Sequence, residues 1–113
     1  MSGDLTLDTL QAGLRGLDQQ QQMSQNNIAN SETPGYTAGT VSFEDQLSSA
    51  IGDGDPLSMT PEVSSTTDAA LPNGNNVQLT KEMNSLSQDA LQQQLLTEAV
   101  NAKFRLLRTV ITG

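Results

Sequence analysis

The stretch "NNIANSETPGY", residues Asn26 to Tyr36, decides how this chain folds. In Thr33-Pro34-Gly35-Tyr36, proline fixes φ at the first central position of a turn, and glycine supplies the positive φ that a type II turn needs at the second. A helix that runs into Asn30 must stop here, and the chain must reverse. Upstream, apolar residues fall at Leu7, Leu10, Leu14, Leu17 and Ile28, a 3-4-3 spacing that resumes in phase after Gln21 and Ser24 occupy the same seam. This predicts one long amphipathic helix over residues 7–30. Asp4 and Asp8 near its start suit the helix dipole, whereas Gly13 and Gly16 each cost about 0.5–1 kcal/mol relative to alanine. Alone, such a helix is marginal.

Downstream, "SFEDQLSSAIG" offers Ser42 as an N-cap, with Asp45 three residues on and Phe43, Leu47, Ala50 and Ile51 on one face, which predicts a short helix ending near Gly52. Residues 52–76 are rich in Gly, Asp, Pro, Ser, Thr and Asn, and are expected to be disordered or ordered by partners, because a structureless loop of that length is uncommon inside a compact domain. From "NGNNVQLTKEM" onward, with Thr80 as cap and Glu82 in the first turn, a long helix is expected to reach the C-terminus. One seam on it is Met83, Leu86, Ala90, Val100, Phe104, Leu107 and Ile111. Leu91, Leu95, Ala99, Ala102 and Leu106 line a second face. Two apolar stripes on one helix need two sets of neighbours. The first helix covers one as an antiparallel partner, and the other calls for self-association or a different protein. The segmentation is thus 1–32 (first helix), 33–76 (turn, short helix and polar loop) and 77–113 (last helix), the two terminal helices forming one domain.

Composition sets the same limits. A chain of 113 residues has room for one domain at most, and its three aromatics (Tyr36, Phe43, Phe104), the absence of Trp and a mean hydropathy of −0.39 imply a thin core. Thirteen acidic against five basic residues give a net charge of −8, which repels phosphate backbones and anionic lipid; no nucleic-acid partner and no membrane insertion are expected. The start, "MSGDLTLDTLQAGLRG", is acidic and lacks an apolar core, so neither a cleaved secretory signal nor a membrane span is expected there. Lys103, Arg105 and Arg108 gather near the end of the last helix. They can complement its dipole, or meet acidic surface on a neighbouring subunit.

Histidine and cysteine are both absent, which removes the usual general base, the thiolate nucleophile and the commonest transition-metal ligands together. A carboxylate pair could be drawn from Glu44, Asp45, Asp53 and Asp55, but the sequence around them is polar, and a solvated loop is the expected reading. "DGDPLSMTPE" fails as a calcium loop, since Leu57 stands where an oxygen ligand belongs and Ser58 replaces the glycine of the sharp turn. No phosphate-cradling glycine motif exists. No catalytic residue, cofactor or metal is expected. The glutamines at 19–22 and 92–94 suit a solvated or lightly polar interhelical face.

Asn26-Asn27-Ile28-Ala29-Asn30, two spacers and Thr33-Pro34-Gly35-Tyr36 together resemble the N-terminal signature of flagellar axial proteins of rod, hook and hook-associated type. Gly74-Asn75-Asn76-Val77, Glu82-Met83, Lys103-Phe104-Arg105 and Leu107-Arg108 resemble the C-terminal segment of the flagellar basal-body rod protein family, nearest its proximal-rod members. The resemblance spans residues 5–51 and 73–113. It implies a mainly α protein whose coiled-coil-like antiparallel pair of terminal helices, unfolded at both ends in the monomer, is completed by assembly into a helical tube. It further implies no enzymatic activity, torque transmission, passage of export substrates, release through the flagellar type III export apparatus, and partners that are itself and other rod proteins. Asn27, Asn30, Thr33, Pro34, Gly35 and Tyr36 would be the family turn motif. A hook-type protein would carry a larger β-rich insertion, and a soluble coiled-coil adaptor or export chaperone would form a discrete dimer.

Overall fold

The structure is a computed structural model that describes residues 4–112, so the first three residues of the segment 1–32 and the last residue lie outside it. Helix α1 spans Leu5–Ala29, β1 Gly39–Ser42, α2 Glu44–Gly52, β2 Glu62–Ser65 and α3 Leu79–Thr112, with one 3-10 turn at Pro56–Ser58. The chain is mainly α, as the periodicity predicts. α1 and α3 pack antiparallel: Asp4 pairs with Lys103 at 3.1 Å, Gly13 lies under Leu96, and Gln21 donates to Gln93 at 2.9 Å. The glutamine tracts do meet across the helix interface. The molecule is elongated, 64 × 26 × 14 Å.

α1 starts two residues before Leu7 because Asp4 caps it, its carboxylate accepting from Leu7 N–H at 3.0 Å. At the other end the Asn30 amide donates to the Asn26 carbonyl at 2.9 Å and closes one of the carbonyls a helix leaves open. The two glycines have a packing reason that their helix propensity hides. A Cβ on Gly16 would stand 2.4–2.6 Å from the Phe43 ring, and one on Gly13 would stand 3.2 Å from Leu96 Cδ1. The small core is Ala12, Leu17, Phe43, Ala50 and Met59, with Leu47 and Leu96 packed against it.

Three local expectations are corrected. Ser42 is not a cap: it pairs in β1, and α2 starts from Phe43 with no side-chain cap bond. Thr80 is not a cap either, since α3 already begins at Leu79 and the Gln78 carbonyl accepts from Glu82 N–H at 3.0 Å. Residues 52–76 are not a structureless loop. β2 pairs antiparallel with β1, from Gly39 opposite Ser65 to Ser42 opposite Glu62. Two apolar residues anchor that segment: Pro56 and Met59 are buried, and the Arg15 guanidinium donates to the carbonyls of Leu57 (3.3 Å) and Met59. A long-range strand pairing and two buried side chains are enough to order a polar segment without a partner.

Candidate assembly interface

The face that α3 turns toward α1 is not its most apolar one. Its half-buried or buried positions include Glu82, Leu86, Asp89, Gln93, Leu96, Val100 and Lys103, a 3-4 repeat with polar residues at several places. On α1, Leu7 and Leu17 are buried, and Leu10, Leu14 and Ile28 are half-buried. Of the residues expected to share the α3 seam, Leu86 and Val100 are half-buried, whereas Met83, Ala90, Phe104, Leu107 and Ile111 are exposed. Leu91 and Leu95 on the second face are exposed as well, at 58% and 62%. The single chain covers one face of α3 and leaves the other open.

The Asp4–Lys103 ion pair ends the helix pair, and residues 104–112 extend about 13 Å further at about 1.5 Å per residue. Ile111 at 82% and Val110 at 74% are there, the two most exposed large apolar groups among the described residues, and Leu106 at 58% and Phe104 at 47% are exposed beside them. Arg105 and Arg108, three apart and therefore on one face, are exposed beside them. Because α3 continues to Thr112, neither arginine is in the last turn, so the helix dipole is not what places them. The Leu7 N–H and then the Lys103 ammonium hold the Asp4 carboxyl below the usual carboxylate range.

At the opposite end, the turn motif is locked by asparagines. Gly35 has φ +74°, and Tyr36 N–H donates to the Thr33 carbonyl at 3.2 Å, the bond and conformation of a type II turn. The buried Asn27 side chain pairs with the backbone of Gly39 like a neighbouring strand: Nδ2 donates to its carbonyl at 2.9 Å, and Oδ1 accepts its N–H at 3.0 Å. The Tyr36 hydroxyl donates to the same Oδ1 at 3.4 Å, and the Thr33 hydroxyl donates to Asn30 Oδ1 at 3.1 Å. Pro34 is exposed.

Sequence reasoning missed the other half of this lock. Asn75, fully buried, donates through Nδ2 to the carbonyls of Asn30 and Thr33, both at 2.8 Å, and accepts Val77 N–H on Oδ1 at 2.8 Å. Asn76 accepts Ala38 N–H at 2.7 Å and donates to the Asp68 carbonyl at 3.2 Å. Gly35 N–H donates to the Asn73 carbonyl at 2.8 Å, and a Cβ on Gly74 would stand 3.1 Å from Gly35 Cα. The available signal was the Gly-Asn-Asn run at 74–76, a polar cluster too short to be a loop by composition alone and well suited to close turn backbones.

Between α1, β1 and the first half of α3 lies an open cleft lined by Gln20, Ser24, Val41, Glu44, Glu82 and Asp89 among others. Asp89 is buried, and desolvation, with the nearby Glu44 charge second, pushes its carboxyl above the usual carboxylate range. Among the described residues, no group of His, Cys, Asp or Glu is placed to hold a metal ion, and no helix is long and apolar enough to cross a membrane.

No family model matches the sequence. The flagellar basal body rod protein FlgB of Bacillus subtilis (strain 168) is 38% identical over 121 residues, which cover 96% of this chain and 94% of that protein. The likeness extends over nearly the whole of both chains. The chain belongs to the flagellar basal body rod protein family.

Proposed function

We propose that the chain is a non-enzymatic structural subunit of the flagellar basal-body rod, assembling with copies of itself and other rod proteins into a helical tube that transmits torque and lets export substrates pass. The observation that carries this reading is the α3 surface left open by α1: Leu91 and Leu95 along one face and Phe104 to Ile111 beyond the end of the pair. Full burial of each large apolar side chain is worth about 1.5–3 kcal/mol, so a lattice of neighbours gains substantially by covering them. Met83, Ala90, Leu91, Leu95, Phe104, Leu107 and Ile111 are the subunit contacts in this reading. The terminal helices together act as one domain, with segment 33–76 as its lateral cover. Export would use the flagellar type III apparatus, and no cofactor or nucleic acid takes part.

The test is Phe104→Asp and Leu91→Asp in cells carrying only the variant chain. Both side chains are exposed, so the purified variants should keep the wild-type circular dichroism spectrum while the cells fail to swim, because a charge would be desolvated at a subunit contact. Normal swimming with both variants refutes the assignment of that face.

A further inference from the structure

The cleft beside Asp89 and the basic end of α3 lie at opposite ends of the same helix and have opposite charge. Asp89 is 9% exposed and lines the cleft, and among the described residues no hydrogen bond or ion pair reaches its carboxylate. Glu44 and Glu82 line the same cleft. Among the described residues, Lys81 is the one cation that lines it, and it is paired with Asp68 at 2.9 Å. A carboxylate set deep in an open cleft, with little room for hydration and no counter-charge, is where a partner's cation would be most favoured. Arg105 and Arg108 are exposed on one face of the α3 end, flanked by Phe104 and Leu107, which are also exposed.

Resting on the rod-subunit reading, we infer that the cleft between α1, β1 and the first half of α3 receives the Arg105 and Arg108 face of the α3 end of a second copy. The contact is head to tail: a copy offers its basic tip to one neighbour and its acidic cleft to another. Such a heterologous contact repeats from copy to copy and builds an open helix wherever its rotation does not close a ring. Guanidinium forks suit the site, since three carboxylates and the cleft's glutamine and serine side chains can accept their donors. The Phe104 and Leu107 side chains then lie against the Val41 side of the cleft.

The chain has no cysteine, so a designed pair reports this contact directly. Gln92→Cys at the cleft and Thr109→Cys on the tip are separated by about 26 Å along one continuous helix, so no disulfide can form within a chain. In basal bodies purified from cells expressing only the double-cysteine chain, mild oxidation should give a ladder of dimers, trimers and longer species. Each single-cysteine chain should give no ladder. Arg105→Glu with Arg108→Glu should abolish both swimming and the ladder, and adding Glu44→Arg to that variant should restore part of each. Incorporation into basal bodies without a ladder overturns this contact and leaves the rod reading intact. Failure of the wild-type chain to co-purify with basal bodies overturns the rod reading itself. If Glu44→Arg restores nothing although the variant is exported and folded, the charge pairing is wrong.

Discussion

Replacing Asn75 by Asp changes one atom group of a fully buried side chain and inverts its role. The native amide sends two N–H bonds, each 2.8 Å long, into the carbonyls of Asn30 and Thr33, while its oxygen accepts from Val77 N–H. In Asn75→Ala all three bonds go. Asn30 O keeps its bond from Thr33 N–H, and Thr33 O keeps that from Tyr36 N–H, so neither carbonyl is orphaned. At about 1 kcal/mol per bond, plus a small cavity, alanine should cost about 2–4 kcal/mol. Aspartate keeps the Val77 bond but aims a second carboxylate oxygen at two carbonyl oxygens in a site closed to water. It should cost more than alanine at neutral pH, about 3–5 kcal/mol, and recover part of that in acid, when protonation returns one donor. Against the 5–15 kcal/mol typical of a whole domain, either loss is severe. Urea unfolding at pH 7 and pH 4, with amide exchange at Gly35 and Ala38 as the local readout, tests the order wild type, alanine, aspartate. An aspartate variant as stable as wild type, or more stable than the alanine variant at pH 7, refutes the donor role assigned to this side chain.

Gly13 and Gly16 should respond to alanine with opposite signs. Gly16→Ala gains about 1 kcal/mol of helix propensity but drives a methyl into the buried Phe43 ring and should lose about 1–2 kcal/mol net, whereas Gly13→Ala meets only the tip of the half-buried Leu96 and should gain up to about 1 kcal/mol; equal thermal shifts would contradict both packings. For Asp89 the folded carboxyl binds its proton more tightly than the unfolded one. Its contribution is therefore most favourable below the unfolded value, declines as pH rises through the raised folded value, and is a standing penalty above it. Asp89→Asn should leave stability unchanged below the unfolded carboxylate range, raise it as pH climbs through the raised folded value and hold a constant gain above that, and a melting-temperature difference that does not vary with pH would argue against burial of the charge. Gly35→Val should destabilise the turn by about 1–3 kcal/mol, because φ is +74° there and a β-branched residue resists it, while Gly35→Asn should cost less. Comparable melting points for the two variants would show that the backbone there is not held left-handed.

The helix pair was legible because Leu7, Leu10, Leu14 and Leu17 carry their period openly, and the turn because Pro34-Gly35 has few alternatives. The phase of α3 was not. Apolar residues ring that helix, so Met83-Ala90-Phe104 looks as good a seam as Leu86-Leu96-Val100, and only the partner's shape chooses between them. Gly13 decides for Leu96 by leaving it room. Asp89 and Gln93 then fall in a seam where hydrophobic counting would never put them. Ser42 failed as a cap because the pairing of Val41 with Val63 extends the strand through Ser42, opposite Glu62, and a contact across some twenty residues leaves no local mark. The asparagine lock was hidden for a similar reason: hydrogen bonds between residues 30–39 and 73–77 are set by geometry, not by any periodic signal.

The two ends of the molecule are finished by different physics, and this bears on the symmetry of any assembly. At the turn end the polar backbone groups of residues 33–39 and 73–77 are extensively paired within the chain, so that end offers shape but few open bonds. At the other end α3 outruns α1 and leaves apolar side chains with two arginines uncovered. A closed dimer built from two such tips would bring Arg105 and Arg108 of both copies together, and like charges at a shared axis oppose the gain from burying Phe104 and Leu107. A tip placed against the carboxylate-lined cleft meets charge of the opposite sign and buries the same apolar groups. The distribution of charge along one helix thus favours the open, repeating contact over the closed pair.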